Sequence, residues 1–359
     1  MSYTITLSGR QMRNNQRAII CLLGVLILSN PLLVRGEELL PRHMTPATVK
    51  SIKRGLDYLA KQQTAGGSFQ TTKGGSTYPV SMTSLAGIAL LANGNTSSRG
   101  PYADQVRKAT EYVLSQAQEN GLIAAGSENG RPMYGHGFSL LFLSSVFGME
   151  TDAKVRARIG KVVKNGIQLT ASGQSTMGGW IYAPGGGDEG SVTVTQMQGL
   201  RAAHNAGFTV PKGTIENAVR YLELCQTPEG GIRYSYRSGN DTRLPISAAA
   251  ITCLYSAGEY ESPLAEECLD YVYGQFKNRK NGFRSGHYFY LNLYASQAFY
   301  QAGDEYWNAY FPDQRDSLIK SQSKKDGSWN GDGVGPVFGT SVALIVMQLP
   351  YKYLPIYQR

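Results

Sequence analysis

Six segments of the chain carry apolar residues on one helical face and charged residues on the other. In the first of them, Val49, Ile52, Leu56 and Leu59 fall on the same face. Such spacing predicts amphipathic helices that are half exposed to solvent. The six segments are residues 46–63, 102–118, 153–169, 212–226, 263–276 and 307–322.

Six further segments alternate with these and are apolar nearly all round. They are residues 80–91, 137–147, 192–206, 246–257, 290–302 and 338–349. A helix without a polar face has to be covered on several sides. Four of these segments are followed by a glycine that suits a left-handed helix end, namely Gly94, Gly207, Gly258 and Gly303.

Six short turns join each amphipathic helix to the apolar helix that follows it. They read GGSF, NGLI, GGW, GGI, NGF and GSW, and their last residues are 69, 123, 180, 232, 283 and 329. A repeated pair of helices, one half-exposed and one buried, predicts an all-α α/α toroid of six helical hairpins. An open superhelix of helix pairs is the alternative, although it would require polar capping repeats that the sequence does not display.

The first 36 residues are predicted to lie outside this fold. Arg10, Arg13 and Arg17 precede an apolar run at residues 18–28, which has the length of a signal-peptide core. We therefore expect residues 1–36 to direct export to the periplasm or the exterior, with Met12 as an alternative start. An uncleaved anchor is the other interpretation. Residues 37–45 would be a linker and residues 46–359 the toroid, with no stable membrane span in the mature chain.

Charge and cysteine content limit the classes of function. Removal of the four arginines of residues 1–36 would lower the formal net charge from +9 to +5. The remaining Lys and Arg residues are spread over the amphipathic helices, so we predict no nucleic-acid binding. Cys225, Cys253 and Cys268 lie in apolar helical segments, where buried free thiols are expected rather than a disulfide framework.

The turns also resemble a known repeat. Gln322–Trp329, Gln226–Ile232 and Gln62–Phe69 each combine a Gln, a Gly-containing turn and an aromatic or aliphatic residue. This pattern, over about residues 46–350, resembles the repeat of the squalene–hopene cyclase and protein prenyltransferase superfamily. We expect the Gln amide to bond backbone of the next repeat, the Gly to adopt a positive φ, and the aromatic residue to fill the gap between outer helices.

The resemblance implies a central cavity that opens where the linkers precede the inner helices. Members of the superfamily bind isoprenoid chains or apolar peptides there. Asp188 and Glu189, at the start of the third inner helix, are the candidate catalytic carboxylates, and helix capping is their competing role. The candidate binding residues at the cavity mouth are His136, Tyr182, Tyr234, Tyr236, Asp241, His287, Tyr288 and Tyr290.

The motifs that carry the superfamily's chemistry are missing. No Asp-x-Asp-Asp acid motif occurs, and the zinc-binding Asp-x-Cys start aligns with Glu189 and Ser191. A hydroxyl is a poor zinc ligand, so we predict no metal and no cofactor. Whether the protein is an enzyme stays open.

Our first hypothesis is therefore an exported repeat protein that binds an apolar or extended ligand, or a peptide, in its central cavity without the classical catalysis. The alternative is a cavity enzyme. It would be either a cyclase-like acid catalyst or a glycan-active lyase or hydrolase that uses a rim of Tyr, His and Asp side chains.

Overall fold

A computed structural model describes residues 40–70, 78–128, 130–278, 283 and 286–358. The predicted signal peptide and residues 281–282 of the fifth turn lie outside the described residues. Twelve α-helices form in these ranges. They are α1 (Pro46–Gln62), α2 (Pro79–Leu91), α3 (Ala103–Ser115), α4 (Pro132–Met149), α5 (Ala153–Ser172), α6 (Gly190–Asn205), α7 (Lys212–Leu224), α8 (Leu244–Ala257), α9 (Pro263–Asn278), α10 (Tyr288–Ala302), α11 (Asp304–Ser321) and α12 (Pro336–Gln348).

The even-numbered helices form a closed inner ring. Each contacts the next one along the chain, and α12 contacts α2, which closes the circle. The odd-numbered helices pack outside this ring, where α1 contacts both α11 and α12. The predicted α/α toroid is thus confirmed, and the open superhelix is wrong.

Burial separates the two rings as the sequence pattern predicts. All residues of α2 are buried, whereas α1 buries only one face, which includes Ile52, Leu56 and Leu59. The α1 helix begins at Thr45, whose side chain accepts a hydrogen bond from the Thr48 N–H in a capping box. Because outer helices are covered on one side only, their polar residues face solvent.

The inner helices run parallel. Near their starts, the Tyr290 hydroxyl of α10 donates to the Ser191 carbonyl of α6 over 3.4 Å. Further along, the Gln198 amide of α6 donates to Gln297 of α10 over 2.7 Å. All inner helices therefore begin at one end of the ring, which we call the mouth, and finish at the opposite end, which we call the tail end.

The turns fasten neighbouring repeats together, as expected from their sequence. The Gln174 amide donates to the carbonyl of Gly178 in its own turn, over 2.7 Å, and to that of Thr214 in α7, over 2.9 Å. Gln322 does the same with Gly327 and with Ser51 in α1, so the last turn closes the ring onto the first repeat. Gln226 departs from this pattern, because its amide donates to the Glu267 carboxylate instead of backbone.

Some helix limits differ from the predicted ones. Helix α4 begins at Pro132, five residues before the predicted start, because proline is tolerated in a first helical turn and Tyr134 and His136 are accommodated in it. Helix α11 begins at Asp304 and continues through Pro312. Gly303 has a positive φ but an extended ψ, so it does not form the left-handed end that Gly258 forms. In the described part of the chain, no helix combines the length and apolarity needed to cross a membrane.

Candidate ligand site at the ring mouth

The linkers before the inner helices build the mouth. The Tyr182 carbonyl accepts from the Met133 N–H at the start of α4, over 3.1 Å, and the Tyr234 carbonyl accepts from the Gly190 N–H of α6, over 2.8 Å. Each linker thereby satisfies an N–H that the preceding inner helix cannot bond internally. This backbone pairing places successive tyrosines side by side along the rim.

Four half-buried tyrosines and one serine form a hydrogen-bonded group, which we call the tyrosine cluster. Its members are Tyr134, Tyr182, Ser191, Tyr234 and Tyr290. The Tyr182 and Tyr234 hydroxyls bond each other, and the Tyr134 hydroxyl lies 2.6 Å from the Ser191 hydroxyl. The cluster therefore joins residues from four repeats.

A cation lies over this cluster. The Arg131 guanidinium carbon is 4.5 Å from the centre of the Tyr182 ring, in a cation–π arrangement. Burial raises the pKa of Tyr134 and of Tyr234, so their hydroxyls stay protonated and able to donate. The tyrosine cluster thus presents aromatic faces and neutral hydroxyls beside the exposed guanidinium of Arg131.

Glu189 lies beneath the cluster as the N-cap of α6. It is 1% exposed, and its carboxylate accepts from the Ser191 and Val192 N–H groups over 2.9 and 2.7 Å. The Ser191 hydroxyl donates to it as well, over 2.7 Å. Burial raises the pKa of Glu189, while the hydrogen bonds from Ser191 and Val192 and the charge of Arg131 oppose this shift. Its oxygens are fully occupied by the helix start.

Asp188 points the other way. Glu189 has extended backbone and pairs with Trp180 in an antiparallel bridge, and consecutive residues of extended chain face opposite sides. The Asp188 side chain lies over Gly179 and beside Tyr221 of α7, since a Cβ added at Gly179 would be 2.8 Å from that of Asp188. The two adjacent carboxylates therefore do not form one paired site.

Two other carboxylates, the buried Glu128 and the half-buried Asp332, cap inner helices across the mouth. Glu128 accepts from the Val80 and Ser81 N–H groups of α2, over 3.0 and 3.1 Å. Asp332 accepts from the Phe289 and Tyr290 N–H groups of α10, over 3.0 and 2.8 Å. Burial raises the pKa of each, against their backbone hydrogen bonds. With Glu189, they place a carboxylate at every second inner helix, where the helix dipole favours it.

His136 is not a residue of the mouth surface, contrary to our expectation. It is fully buried between α4 and α5. Its Nδ1 accepts from the Ile123 N–H over 3.2 Å, and its Nε2 lies 2.9 Å from the Thr170 hydroxyl. Burial lowers the pKa of His136 to about 4, so the ring is neutral and structural at physiological pH.

The remaining predicted residues are dispersed around the rim. Tyr236 is 42% exposed and Asp241 is exposed, both in the linker that leads to α8. His287 is the exposed N-cap residue of α10 and makes no side-chain capping bond. Tyr288 accepts a hydrogen bond from the Gln314 amide of α11, so it belongs to the packing between α10 and α11.

The centre of the ring is crossed by side chains. Below the mouth, the buried Gln198 and Gln297 bond directly across the ring interior, and the C-terminal 3-10 turn Pro355–Tyr357 contacts α6 and α10. Gln301 near the end of α10 donates to the Ile356 carbonyl over 3.4 Å, and Tyr357 is buried. The apolar central cavity that we expected is therefore interrupted by polar bridges and by the tail.

Arg131 and Tyr134 were not among the candidate binding residues, and Glu128 and Tyr357 were not identified from the sequence. Arg131 and Tyr134 stand in a linker position equivalent to that of Tyr182, so the repeat register was a usable signal for them. No local sequence pattern predicted that Tyr357 is buried, because its burial depends on the path of the C-terminal segment. Among the described residues, no three His, Cys, Asp or Glu side chains are grouped as metal ligands, and the buried Cys225, Cys253 and Cys268 are free.

The architecture is similar to that of two classes of solved enzyme. Neither a protein-family model nor a curated protein matches the sequence. The GH76A α-1,6-mannanase from Salegentibacter sp. HEL1_6 aligns with a TM-score of 0.63 at 10% identity, covering 85% of this chain and 99% of the mannanase. An inactive variant of it, in which two consecutive aspartates are replaced by asparagine, was solved with α-1,6-mannotriose and aligns with a TM-score of 0.61 at 10% identity, over 84% of this chain and 98% of the variant.

The second class is a type II terpene cyclase. An Asp-to-Asn variant of MstE from Scytonema, in complex with its substrate geranylgeranyl dihydroxybenzoate, aligns with a TM-score of 0.59 at 14% identity, covering 86% of this chain and 98% of the cyclase. These structural alignments show the shared α/α toroid fold alone. The two neighbours act on chemically different substrates, so the ligand has to be argued from the mouth itself.

Proposed function

We propose that the protein binds an extended, hydroxyl-rich ligand, a glycan chain, across its mouth without cleaving it. The tyrosine cluster is the observation that carries this proposal. Tyrosine rings offer flat apolar faces to sugar rings, and their hydroxyls both donate and accept hydrogen bonds. Arg131 adds further donors over the same surface.

An apolar chain fits this interior less well. The Gln198–Gln297 and Ser191–Tyr290 hydrogen bonds cross the space in which an isoprenoid would lie. An apolar ligand that displaced them would leave buried polar groups without partners, at a cost of about 1–3 kcal/mol each. The bound mannotriose of the mannanase neighbour supports the glycan ligand.

Cleavage is not part of the proposal because the carboxylates are poorly placed for it. Glycoside hydrolysis commonly uses two carboxyl groups that flank the scissile bond. The Glu189 oxygens are engaged by Ser191 and Val192, and Asp188 faces Tyr221 instead of Glu189.

Export directed by residues 1–36 would bring the protein to external glycans. N-terminal sequencing of the secreted protein tests this prediction. A mature chain that still began at Met1 or Met12 would refute cleavage of a signal peptide.

Calorimetric titration with α-1,6-mannotriose tests the binding proposal. We expect saturable binding by the wild type and about tenfold weaker binding by Tyr182→Phe/Tyr234→Phe, because two hydroxyls are each worth about 0.5–1.5 kcal/mol. Tyr353→Phe is the matched control, since this tyrosine is 55% exposed and lies in the C-terminal segment. Absence of binding, or equal affinity of the double variant and the wild type, would refute the proposal.

The consecutive acids Asp188 and Glu189 favour a second candidate, glycan hydrolysis, because the inactive mannanase variant has two consecutive aspartates replaced. Release of reducing ends from an α-1,6-mannan distinguishes the two. Turnover that Asp188→Asn abolishes would establish the enzyme. Mannotriose binding without any turnover would support a glycan-binding protein and refute the hydrolase.

A further inference from the structure

Helix α5 differs from the other outer helices in its charge. It contains Lys154, Arg156, Arg158, Lys161 and Lys164 but no acidic residue. On the other side of the ring, acidic residues outnumber basic ones in α9 and α11. Of the outer helices, α5 therefore carries the largest excess of positive charge.

Four of these cations form a line, which we call the basic row: Lys154, Arg158, Lys161 and Lys164. All four are exposed, and they span about 15 Å along the helix at 1.5 Å per residue. Within the described ranges, the three lysines have no ion-pair partner. Arg158 pairs with Glu111 of α3 over two bonds of 2.9 Å.

A groove of about 410 Å³ runs beside the row, between α3 and α5. Arg158 and Lys161 form one of its walls, Leu114 and Val162 are apolar lining residues, and Gln118 and Asn165 add amide groups. A chain lying along the row would thus find charge, hydrogen-bonding groups and an apolar surface together.

We propose that the basic row and its groove bind a linear acidic polysaccharide. A flat anionic membrane fits less well, because the outer surface on both sides carries acids, Glu111 and Glu119 by α3 and Glu216 and Glu223 on α7. Glu111 is paired with Arg158, and Glu119 is the one acid among the groove's lining residues, so a narrow polyanion would lie along the unpaired Lys154, Lys161 and Lys164. The groove has no aromatic lining residue, whereas single-stranded nucleic acids are usually held by base stacking on aromatic rings.

This site lies on the outer ring and is independent of the glycan site at the mouth. Binding of the full-length protein to dextran sulfate tests it, with neutral dextran as the backbone control. We expect the wild type to bind dextran sulfate with a strong salt dependence. Lys154→Gln/Lys161→Gln/Lys164→Gln should bind at least about tenfold more weakly, and its slope of log affinity against log salt should be shallower by about 2–3.

The matched control is Lys50→Gln/Lys61→Gln/Lys325→Gln, which removes the same charge from exposed lysines elsewhere. Its affinity should stay within about twofold of wild type. If both triple variants lost affinity for dextran sulfate equally, the effect would be one of net charge, and the proposed site would be overturned. An unchanged affinity of Lys154→Gln/Lys161→Gln/Lys164→Gln would also overturn it.

Two further probes test the class of polyanion. A (dT)20 oligonucleotide or phosphatidylglycerol vesicles that bound as tightly as dextran sulfate, with the same dependence on the row, would overturn the assignment to a polysaccharide. Tyr182→Phe/Tyr234→Phe should bind dextran sulfate like the wild type, so the failure of one proposal is distinguishable from the failure of the other.

Discussion

At the mouth, the glycines of the described turns lie directly against the backbone of the next outer helix, whereas Gly207, Gly258 and Gly303, which follow inner helices at the tail end, have open space around them. Gly178 and Gly207 show the contrast, since both have positive φ, of 98° and 90°. A Cβ added at Gly178 would lie 2.1 Å from the Asn217 carbonyl oxygen, while one added at Gly207 meets nothing within 4 Å. The mouth is fixed by contacts between repeats.

The tail end is fastened by a different device. Its centre is filled by the C-terminal turn Pro355–Tyr357, which contacts α6 and α10. This turn is a single apolar insertion, in contrast to the repeated close contacts that the described turns make near the mouth. We infer that the mouth, which is fixed by contacts between repeats, holds the ligand surface. The C-terminal turn keeps α6 and α10 from separating at the tail end.

Removal of the tail's aromatic anchor should have the largest effect. Tyr357→Ala is expected to lower the free energy of unfolding by about 4 kcal/mol, because Tyr357 is a large buried side chain and its loss leaves a cavity. Denaturant unfolding measures this, and amide exchange should accelerate in α6 and α10. Tyr353→Ala is the control and should cost at most about 1 kcal/mol. Equal costs for the two tyrosines would show that the tail does not anchor the ring.

The two glycines test the contrast between the ends themselves. Gly207→Ala should cost about 1–2 kcal/mol, from positive φ alone. Gly178→Ala should cost about 1–3 kcal/mol more, because its methyl group overlaps the Asn217 carbonyl and forces α7 away. Urea unfolding of both variants gives the difference. If they were equally stable, the close packing of the turns would not be what fixes the mouth.

The fold could be predicted from the sequence because its signals are local and repeated. The apolar face of α1, formed by Ile52, Leu56 and Leu59, and the turn at Gly178–Trp180 each indicate a contact that recurs in the described repeats. Closure of the ring was predicted because six half-exposed helices alternate with six helices that have no polar face. The superfamily resemblance pointed to the same toroid, and the solved neighbours share it.

The site could be predicted only in outline, because side-chain direction in the linkers depends on non-local packing. Tyr182 and Tyr234 bond each other at the mouth, Tyr290 bonds the Ser191 carbonyl, and the binding role of all three stays a prediction. Asp188 and Glu189 separate because a backbone bridge to Trp180 makes that stretch extended. His136 has the linker position of a rim residue, but an early start of α4 turns it toward Thr170.

His136 offers the smallest and most specific test of how the mouth end is packed. Its pKa is lowered from 6.5 to about 4 by burial, so its contribution to stability is present above pH 6.5 and is lost as the pH falls toward 4. By pH 5 the loss should be about 2 kcal/mol. The three capping carboxylates change stability in the opposite direction with pH. Burial raises the pKa of Glu128, Glu189 and Asp332, so their contribution to the free energy of unfolding is lost as the pH rises.

The free energy of unfolding, measured in urea between pH 7 and pH 5, checks this. His136→Gln should show a flatter dependence on pH than the wild type, although it is less stable overall, because it removes the group that takes up a proton on unfolding. His204→Gln, which replaces a histidine exposed on α6, is the matched control for the substitution itself. A wild-type slope in His136→Gln would mean that His136 is open to solvent, and the packing of α4 against α5 at Thr170 would then be wrong.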